Sequence, residues 1–215
     1  MFEALLYIIA SCIEGVAFFI ITFGLFRINL SEYIKELIVT ILVVSLGTFL
    51  LSEHQVAAQF IPLINLTILI IFLIFFFKVS LPHTILIMVS GYIACMVIQW
   101  GLIKFSEMAT GINLVDIKSS IGLRTTFQFL SSALIIAISV ILRKSKLWFT
   151  FVPYSTSLSF KMSRNNIIIL TTATTILFIF GNTLKYSSTI FGFSIWLISL
   201  ISLLIISIRR EFQID

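Results

Sequence analysis

Long apolar runs limit what this chain can form. Seven of them lie along the sequence, each bounded by charged residues, a proline or a polar cluster. They are Leu5 to Phe26, Ile34 to Leu51, Gln59 to Phe77, Leu81 to Ile103, Leu123 to Leu142, Asn165 to Leu184 and Thr189 to Ile208. Roughly 20 consecutive apolar residues cross the hydrocarbon core of a bilayer as a helix. Transmembrane strands would alternate polar and apolar side chains, and these runs do not, so helices are the predicted spanning structure.

The composition indicates the same class of protein. Of the 215 residues, 60% are hydrophobic and 11% are charged, whereas a soluble domain carries about 25% charged residues. The sequence therefore predicts an all-α fold, a polytopic membrane helical bundle of seven transmembrane helices that forms one domain over residues 1–215. Six helices are the alternative, because the connection after Ile103 is long and the sixth run has a polar start.

The basic residues predict the orientation in the membrane. Of the 14 Lys and Arg residues, most of them in or beside the connections, ten fall on the side of the C-terminus and four on the opposite side. Cytoplasmic connections carry the excess of basic residues, so we expect a multi-pass protein of the cell membrane with its N-terminus outside and its C-terminus cytoplasmic. The net charge of +5 is therefore explained by topology. Membrane lipid is the expected partner, and nucleic acid is not expected to bind.

Two connections are long enough to have a structure of their own. Lys104 to Gly122 is expected to be a solvated outer loop, with a short surface helix or a cover over a pocket as alternatives. Arg143 to Arg164 has basic ends around several aromatic residues, among them Trp148. Aromatic rings and cationic groups suit the headgroup layer of an anionic inner leaflet, so this segment is predicted to be interfacial, with partner docking as the alternative.

A carboxylate interrupts the first apolar run, in the stretch SCIEGVAFF. Glu14 lies roughly 13 Å in from the outer end of its predicted helix. An unpaired charge at this depth is costly, and ionisable groups inside membranes usually face the bundle interior or a wet cavity. We therefore expect Glu14 to have polar neighbours. It is either protonated and neutral, or ionised and held by hydrogen-bond donors and water.

Further polar side chains are predicted in the same outer half of the bundle. Asn65, Gln99 and Gln128 lie roughly 9, 6 and 7 Å below the outer ends of the third, fourth and fifth helices, and Tyr92 lies near the midplane. One interpretation is that these groups hydrogen-bond between helices, each contact contributing on the order of 1 kcal/mol. A proton or ion path is another. The functional interpretation is a cavity open to the outside, with a ligand-binding site formed by Glu14, Asn65, Tyr92, Gln99 and Gln128.

Catalytic constellations are missing from the sequence. His83 and Cys95 fall on one predicted helix roughly 18 Å apart, too far for a nucleophile and its base. No metal-binding motif, nucleophile elbow or phosphate-binding loop is found. The chain is therefore predicted not to be an enzyme and to bind no cofactor or metal.

The overall layout carries a resemblance. Seven closely spaced helices, short connections and many Phe, Ile and Leu residues lead to a last segment, WLISLISLLIISIRREFQID, with a basic and then acidic end. This layout resembles the membrane sensor region of accessory-gene-regulator-type quorum-sensing histidine kinases of Gram-positive bacteria. The resemblance implies that a secreted peptide is received from outside and that the final helix signals to a cytoplasmic kinase. The sequence up to Asp215 does not contain the kinase part of that family. A stand-alone receptor and the membrane portion of a longer protein are therefore the two alternatives.

A receptor or sensor is therefore the predicted function. An extracellular peptide or small ligand would bind in the outer-half cavity, and the last helix would signal to a cytoplasmic or membrane protein partner through its end at Arg209, Arg210 and Glu211. The alternative is a small transporter or an accessory membrane subunit of a larger transport complex.

Overall fold

The computed structural model describes residues 2–52, 61–77, 79, 81–146, 148–149 and 189–211. All regular structure over these residues is helical. The α-helices are α1 (Phe2–Leu25), α2 (Ile34–Ser52), α3 (Ile61–Phe77), α4 (Leu81–Thr110), α5 (Leu114–Ser119), α6 (Ile121–Lys144) and α7 (Thr189–Glu211). A single 3-10 turn, Leu30–Tyr33, precedes α2, and the side chain of Asn29 caps it by accepting from the backbone N–H of Ser31.

The predicted all-α class is confirmed. Six of the seven predicted runs coincide with described helices, and the remaining run, Asn165 to Leu184, lies outside the described residues. Within the described part of the chain, four segments are long and apolar enough to cross a bilayer: Leu5–Leu25, Leu30–Ser52, Leu81–Thr110 and Ile121–Lys144. Two shorter apolar stretches are helix α3, Ile61–Phe77, and residues Ser194–Ile205 within α7. The chain is therefore a membrane-embedded helical protein.

The connection from Lys104 to Gly122 is mostly helical, so the expectation of a solvated loop was wrong. Helix α4 continues to Thr110, and Gly111 follows with a φ of 75°, a left-handed conformation that glycine adopts without strain. Asn113 then caps α5: its side chain accepts from the backbone N–H of Asp116 at 3.0 Å, and the Asp116 carboxylate accepts from the N–H of Asn113 at 2.9 Å. This reciprocal capping box stabilises the short helix, which packs against α6.

Helix α1 lies at the centre of the described bundle. It packs against α2, α4 and α6, and α4 in turn packs against α3, α6 and α7. Large side chains such as Phe23 on α1 and Leu86 on α4 are fully buried between these helices. Other large apolar side chains, including Leu50, Phe75 and Ile198, are exposed. Such apolar surface suits helices that face lipid.

A glycine allows α1 and α4 to approach closely. Gly91 on α4 faces Thr22 on α1, and a Cβ atom on Gly91 would overlap Thr22 Oγ1 and lie 2.7 Å from Thr22 Cβ. Thr22 is fully buried and donates a hydrogen bond of 2.6 Å from Oγ1 to the carbonyl of Phe18 in its own helix. Close contacts at small residues are typical of helix packing in membranes. This contact holds the C-terminal half of α1, about two turns from Glu14, against α4.

A side-chain hydrogen bond joins α6 to α1. Ser139 Oγ on α6 donates to the carbonyl of Ile20 on α1 at 3.0 Å. Gly24 lies one turn further along α1, and a Cβ atom there would be 3.0 Å from Ser139 Oγ. The missing side chain at Gly24 therefore leaves the room in which the Ser139 hydroxyl reaches the α1 backbone.

After α6 the chain returns to the end of α1. The Phe149 N–H donates to the carbonyl of the last residue of α1 at 2.7 Å, and the Phe149 ring centroid lies 5.8 Å from that of Phe26. The Arg27 guanidinium lies 5.6 Å from the centroid of the Trp148 ring, close enough for a cation–π interaction. Aromatic and basic groups thus meet at the start of the predicted interfacial segment, and residues 150–164 lie outside the described part.

Candidate functional site

Two amide side chains hold the carboxylate of Glu14. Gln99 on α4 donates from Nε2 to Glu14 Oε1 at 2.5 Å, and Gln128 on α6 donates from Nε2 to Glu14 Oε2 at 3.4 Å. Among the described residues, these amides are the donors to the carboxylate. The expectation that Glu14 has polar neighbours is confirmed, and two of the three predicted amides provide them.

A cavity of about 260 Å³ lies beside this carboxylate. Its wall includes all the residues that the sequence singled out: Glu14, Asn65, Tyr92, Gln99 and Gln128. Apolar side chains from α1 to α4 and from α6 form most of the remaining wall. A mostly apolar cavity with a few polar groups is the usual form of a small-molecule site, because the apolar wall supplies affinity and the polar groups fix orientation.

One face of α1 forms the near side of this cavity. Tyr7, Ser11, Glu14 and Phe18 all line it, and their spacing of four, three and four residues places them on one helical stripe. The sequence interpretation missed Tyr7 and Ser11. Their spacing from Glu14 is a signal that could have found them, since residues three, four and seven positions away share a helix face.

Asn65 joins α3 to α2 at the cavity wall, and its hydrogen bond goes to α2 and not to Glu14. Its Nδ2 donates to Thr48 Oγ1 at 2.8 Å, and that hydroxyl donates to the carbonyl of Val44 at 2.7 Å. Asn65 Oδ1 is buried without a hydrogen-bond partner among the described residues. Thr48 was also missed, because threonine in a membrane helix commonly bonds to its own backbone and gives no sign of a further partner.

Aromatic rings border the polar groups. The ring centroids of Tyr92 and Phe18 lie 6.4 Å apart with their planes at 65°. Phe18 and Phe19 lie 5.5 Å apart at 75°. These near edge-to-face pairs are favourable ring arrangements. The carboxylate therefore borders an aromatic wall.

A smaller cavity of about 190 Å³ shares Glu14, Gln99 and Gln128 with the first. Arg124 and Phe127 line this smaller cavity and not the larger one. The carboxylate and its two amides therefore form a boundary between two spaces. Interhelical hydrogen bonds and cavity walls involve the same side chains, so the structural and functional interpretations of these residues do not exclude each other.

The fold and the site together define a class: a helical membrane protein in which a carboxylate inside the bundle, held by two amides, borders a cavity with an apolar and aromatic wall. No family model, curated protein or solved structure matches the chain.

Proposed function

We propose that the chain is a receptor or sensor of the cell membrane with seven transmembrane helices, an extracellular N-terminus and a cytoplasmic C-terminus. Its ligand, a peptide or a small molecule, enters the larger cavity from outside. The observation that carries this proposal is the position of Glu14 between two amide donors at the boundary of two cavities. Ionisable groups inside membranes are expensive and commonly mark functional sites.

The size of the larger cavity limits what enters it. Its volume of about 260 Å³ lies just below the range of roughly 300–1,000 Å³ that encloses drug-sized ligands. A small molecule fits, and so do one or two side chains of a larger ligand. A peptide would therefore insert an anchoring side chain and keep its backbone outside the cavity.

Helix α4 connects the cavity to the last helix. Tyr92 and Gln99 of α4 line the cavity, and α4 also packs against α7, on which Trp196 and Leu203 are buried. A ligand that binds one packing arrangement more tightly than another shifts the population toward it. Rearrangement of α4 then reaches α7, whose last residues, 209–211, pass the signal to a cytoplasmic or membrane partner.

The resemblance to accessory-gene-regulator-type quorum-sensing kinases implies the same direction of signalling, with a secreted peptide as the ligand and a kinase as the partner. The helical layout and the basic end of the last segment support it. In this proposal the chain is the sensing part of a quorum-sensing system.

A label on α7 tests the proposal. Ile205 is exposed on α7, so Ile205→Cys carries a fluorophore in a protein whose native Cys12 is replaced by alanine. Cys95 is buried and lines the cavity, so it is kept. Secreted peptides and small molecules are added to the outside of proteoliposomes of known orientation. The expected result is a ligand that changes the fluorescence of the labelled protein and fails to do so after Glu14→Gln. A response that Glu14→Gln leaves unchanged contradicts the proposed site.

A small transporter, or an accessory subunit of a transport complex, is the second candidate. The two cavities that meet at Glu14 favour it, because a carrier exposes one site alternately to the two sides of the membrane.

Liposomes that contain only this chain separate the candidates. Proton or solute flux that Glu14→Gln abolishes supports a carrier, whereas a ligand-dependent change at α7 without flux supports a receptor. Co-purification with a larger membrane subunit, with activity only in that complex, supports an accessory role.

A further inference from the structure

The residues that line the larger cavity include hydrogen-bond acceptors that lack a donor among the described residues. Glu14 contributes a carboxylate, and its two oxygens receive one hydrogen bond each, from Gln99 and Gln128. A carboxylate has about four acceptor positions, so half of them remain open. The carbonyl oxygens of Asn65 and Gln128 are also buried without a partner among the described residues. Buried acceptors without donors are costly, so an occupant that donates hydrogen bonds is favoured.

The charge of the cavity wall points to a cation. Among the described residues that line the larger cavity, Glu14 is the one with an acidic side chain, and none has a basic side chain. Arg124 lines the smaller cavity instead, and the two amides, rather than Arg124, donate to the carboxylate. Coulomb attraction is strong where the wall is mostly apolar and the effective dielectric constant is low. A cationic group is therefore the best match for the wall.

The rings beside Glu14 suit the rest of such a ligand. Tyr7, Phe18 and Tyr92 line the same cavity. Aromatic faces attract ammonium and guanidinium groups, and apolar stems of long cationic side chains pack well against rings. A cationic group on an aliphatic stem satisfies the carboxylate and the aromatic wall together.

We infer that the group inserted into the larger cavity is an ammonium or guanidinium on an aliphatic stem that donates to Glu14. This inference rests on the proposed ligand-binding function of the same cavity and specifies the chemistry of the ligand. The bond from Gln128 to Glu14, at 3.4 Å, is the longer of the two. Gln128 is therefore the amide that turns from Glu14 and presents its carbonyl when the cation enters.

Matched probes test the cation requirement on the full chain in lipid nanodiscs. Nα-acetyl-lysine amide is compared with Nα-acetyl-norleucine amide, and Nα-acetyl-arginine amide with Nα-acetyl-citrulline amide. The lysine and arginine side chains stay free and cationic, so each pair differs chiefly in charge. Calorimetry measures the affinities. We expect each cationic probe to bind roughly tenfold to hundredfold more tightly than its neutral partner, the range for a hydrogen bond to a charged group. Equal affinities within both pairs overturn the inference.

A carboxylate-to-amide pair of variants assigns the effect to the cavity. Glu14→Gln is expected to abolish the preference for the cationic probes, and Glu107→Gln is expected to leave it intact. Glu107 is a matched control because it pairs with Lys104 at 2.9 Å and does not line the cavity. A preference that survives Glu14→Gln overturns the assignment. The comparison of probes on the unmodified chain remains decisive where Glu14→Gln fails to fold.

Further measurements identify the source of the cation and test the receptor function separately from the cationic ligand. Butylammonium that binds as tightly as the lysine derivative indicates a free amine as the ligand, whereas tighter binding of the derivative indicates a basic residue of a peptide; both support the cationic chemistry. Cation binding without any change at labelled Ile205 supports this inference and contradicts the receptor function. A response at Ile205 to neutral probes alone supports the receptor and contradicts the cationic ligand.

Discussion

Glu14 Oε1 lies 2.5 Å from Gln99 Nε2 although 85 positions separate the two residues in the chain. The bond joins α1 to α4 at the wall of the larger cavity. Side-chain hydrogen bonds between membrane helices each contribute on the order of 1 kcal/mol to packing. The hydrogen bond therefore contributes to the packing of the bundle and holds the carboxylate in place for a ligand. Any occupant that draws Glu14 away from Gln99 also weakens the contact between the two helices.

We expect Gln99→Leu to lower the free energy of unfolding by about 1–3 kcal/mol, because it removes the shorter bond to a buried acceptor. Gln128→Leu is the matched variant. It removes the longer bond of 3.4 Å and is expected to have the smaller effect. Unfolding of the purified variants from mild detergent with increasing dodecyl sulfate measures both. An unchanged stability in Gln99→Leu contradicts a stabilising role for the bond.

Gly91→Ala is expected to destabilise the bundle by about 1–3 kcal/mol, the usual range for overpacking. The new methyl group would lie 2.7 Å from Thr22 Cβ, so α1 and α4 must separate. Gly47→Ala is the control, since a Cβ atom there meets nothing within 4 Å, and it is expected to be neutral or to stabilise the helix by up to about 1 kcal/mol. The same unfolding assay compares them, and an equal effect of the two substitutions argues against close packing at Gly91.

Hydropathy predicted the helical class and most of the helix positions because an apolar run that crosses a bilayer must satisfy its own backbone hydrogen bonds, as a helix does. Glu14, Gln99 and Gln128 meet as predicted for a related reason: polar groups at one depth in a small bundle contact each other, since lipid offers them no hydrogen-bond partner. Asn65 was predicted to lie near Glu14, and it lines the same cavity while it bonds to Thr48. Depth alone does not specify the direction in which a side chain points.

Other features of the site could not be predicted from the sequence. The extension of α4 to Thr110 and the helix that starts after Asn113 arise from local capping in a stretch whose charges suggested a loop. The boundary between the two cavities depends on rotations of α1, α4 and α6 about their axes. Those rotations are set by packing contacts such as Gly91 against Thr22 and Ser139 against Ile20, which no single run of the sequence contains.

Ser139→Ala is expected to reduce stability by about 0.5–1.5 kcal/mol, because it removes the hydrogen bond of 3.0 Å to the Ile20 carbonyl. Thr126→Ala on the same helix is the control: its hydroxyl bonds within α6, to the carbonyl of Gly122 at 2.8 Å, and its side chain is exposed. Thermal unfolding in detergent measures both variants. Were the two losses equal, the bond between α6 and α1 would have no stabilising role beyond that of a bond within one helix.

Asn113→Ala is expected to loosen α5 while the rest of the bundle keeps its stability. The substitution removes the acceptor for the Val115 and Asp116 N–H groups, at 2.8 and 3.0 Å, and such a change at a helix N-cap costs about 1 kcal/mol. Hydrogen exchange of the α5 amides should therefore be roughly fivefold faster, whereas amides in α1 should exchange at an unchanged rate. Asn113→Asp keeps a side-chain acceptor at the cap and should preserve the slow exchange. Equal protection of α5 in Asn113→Ala and Asn113→Asp would show that packing against α6, and not the capping box, holds this helix.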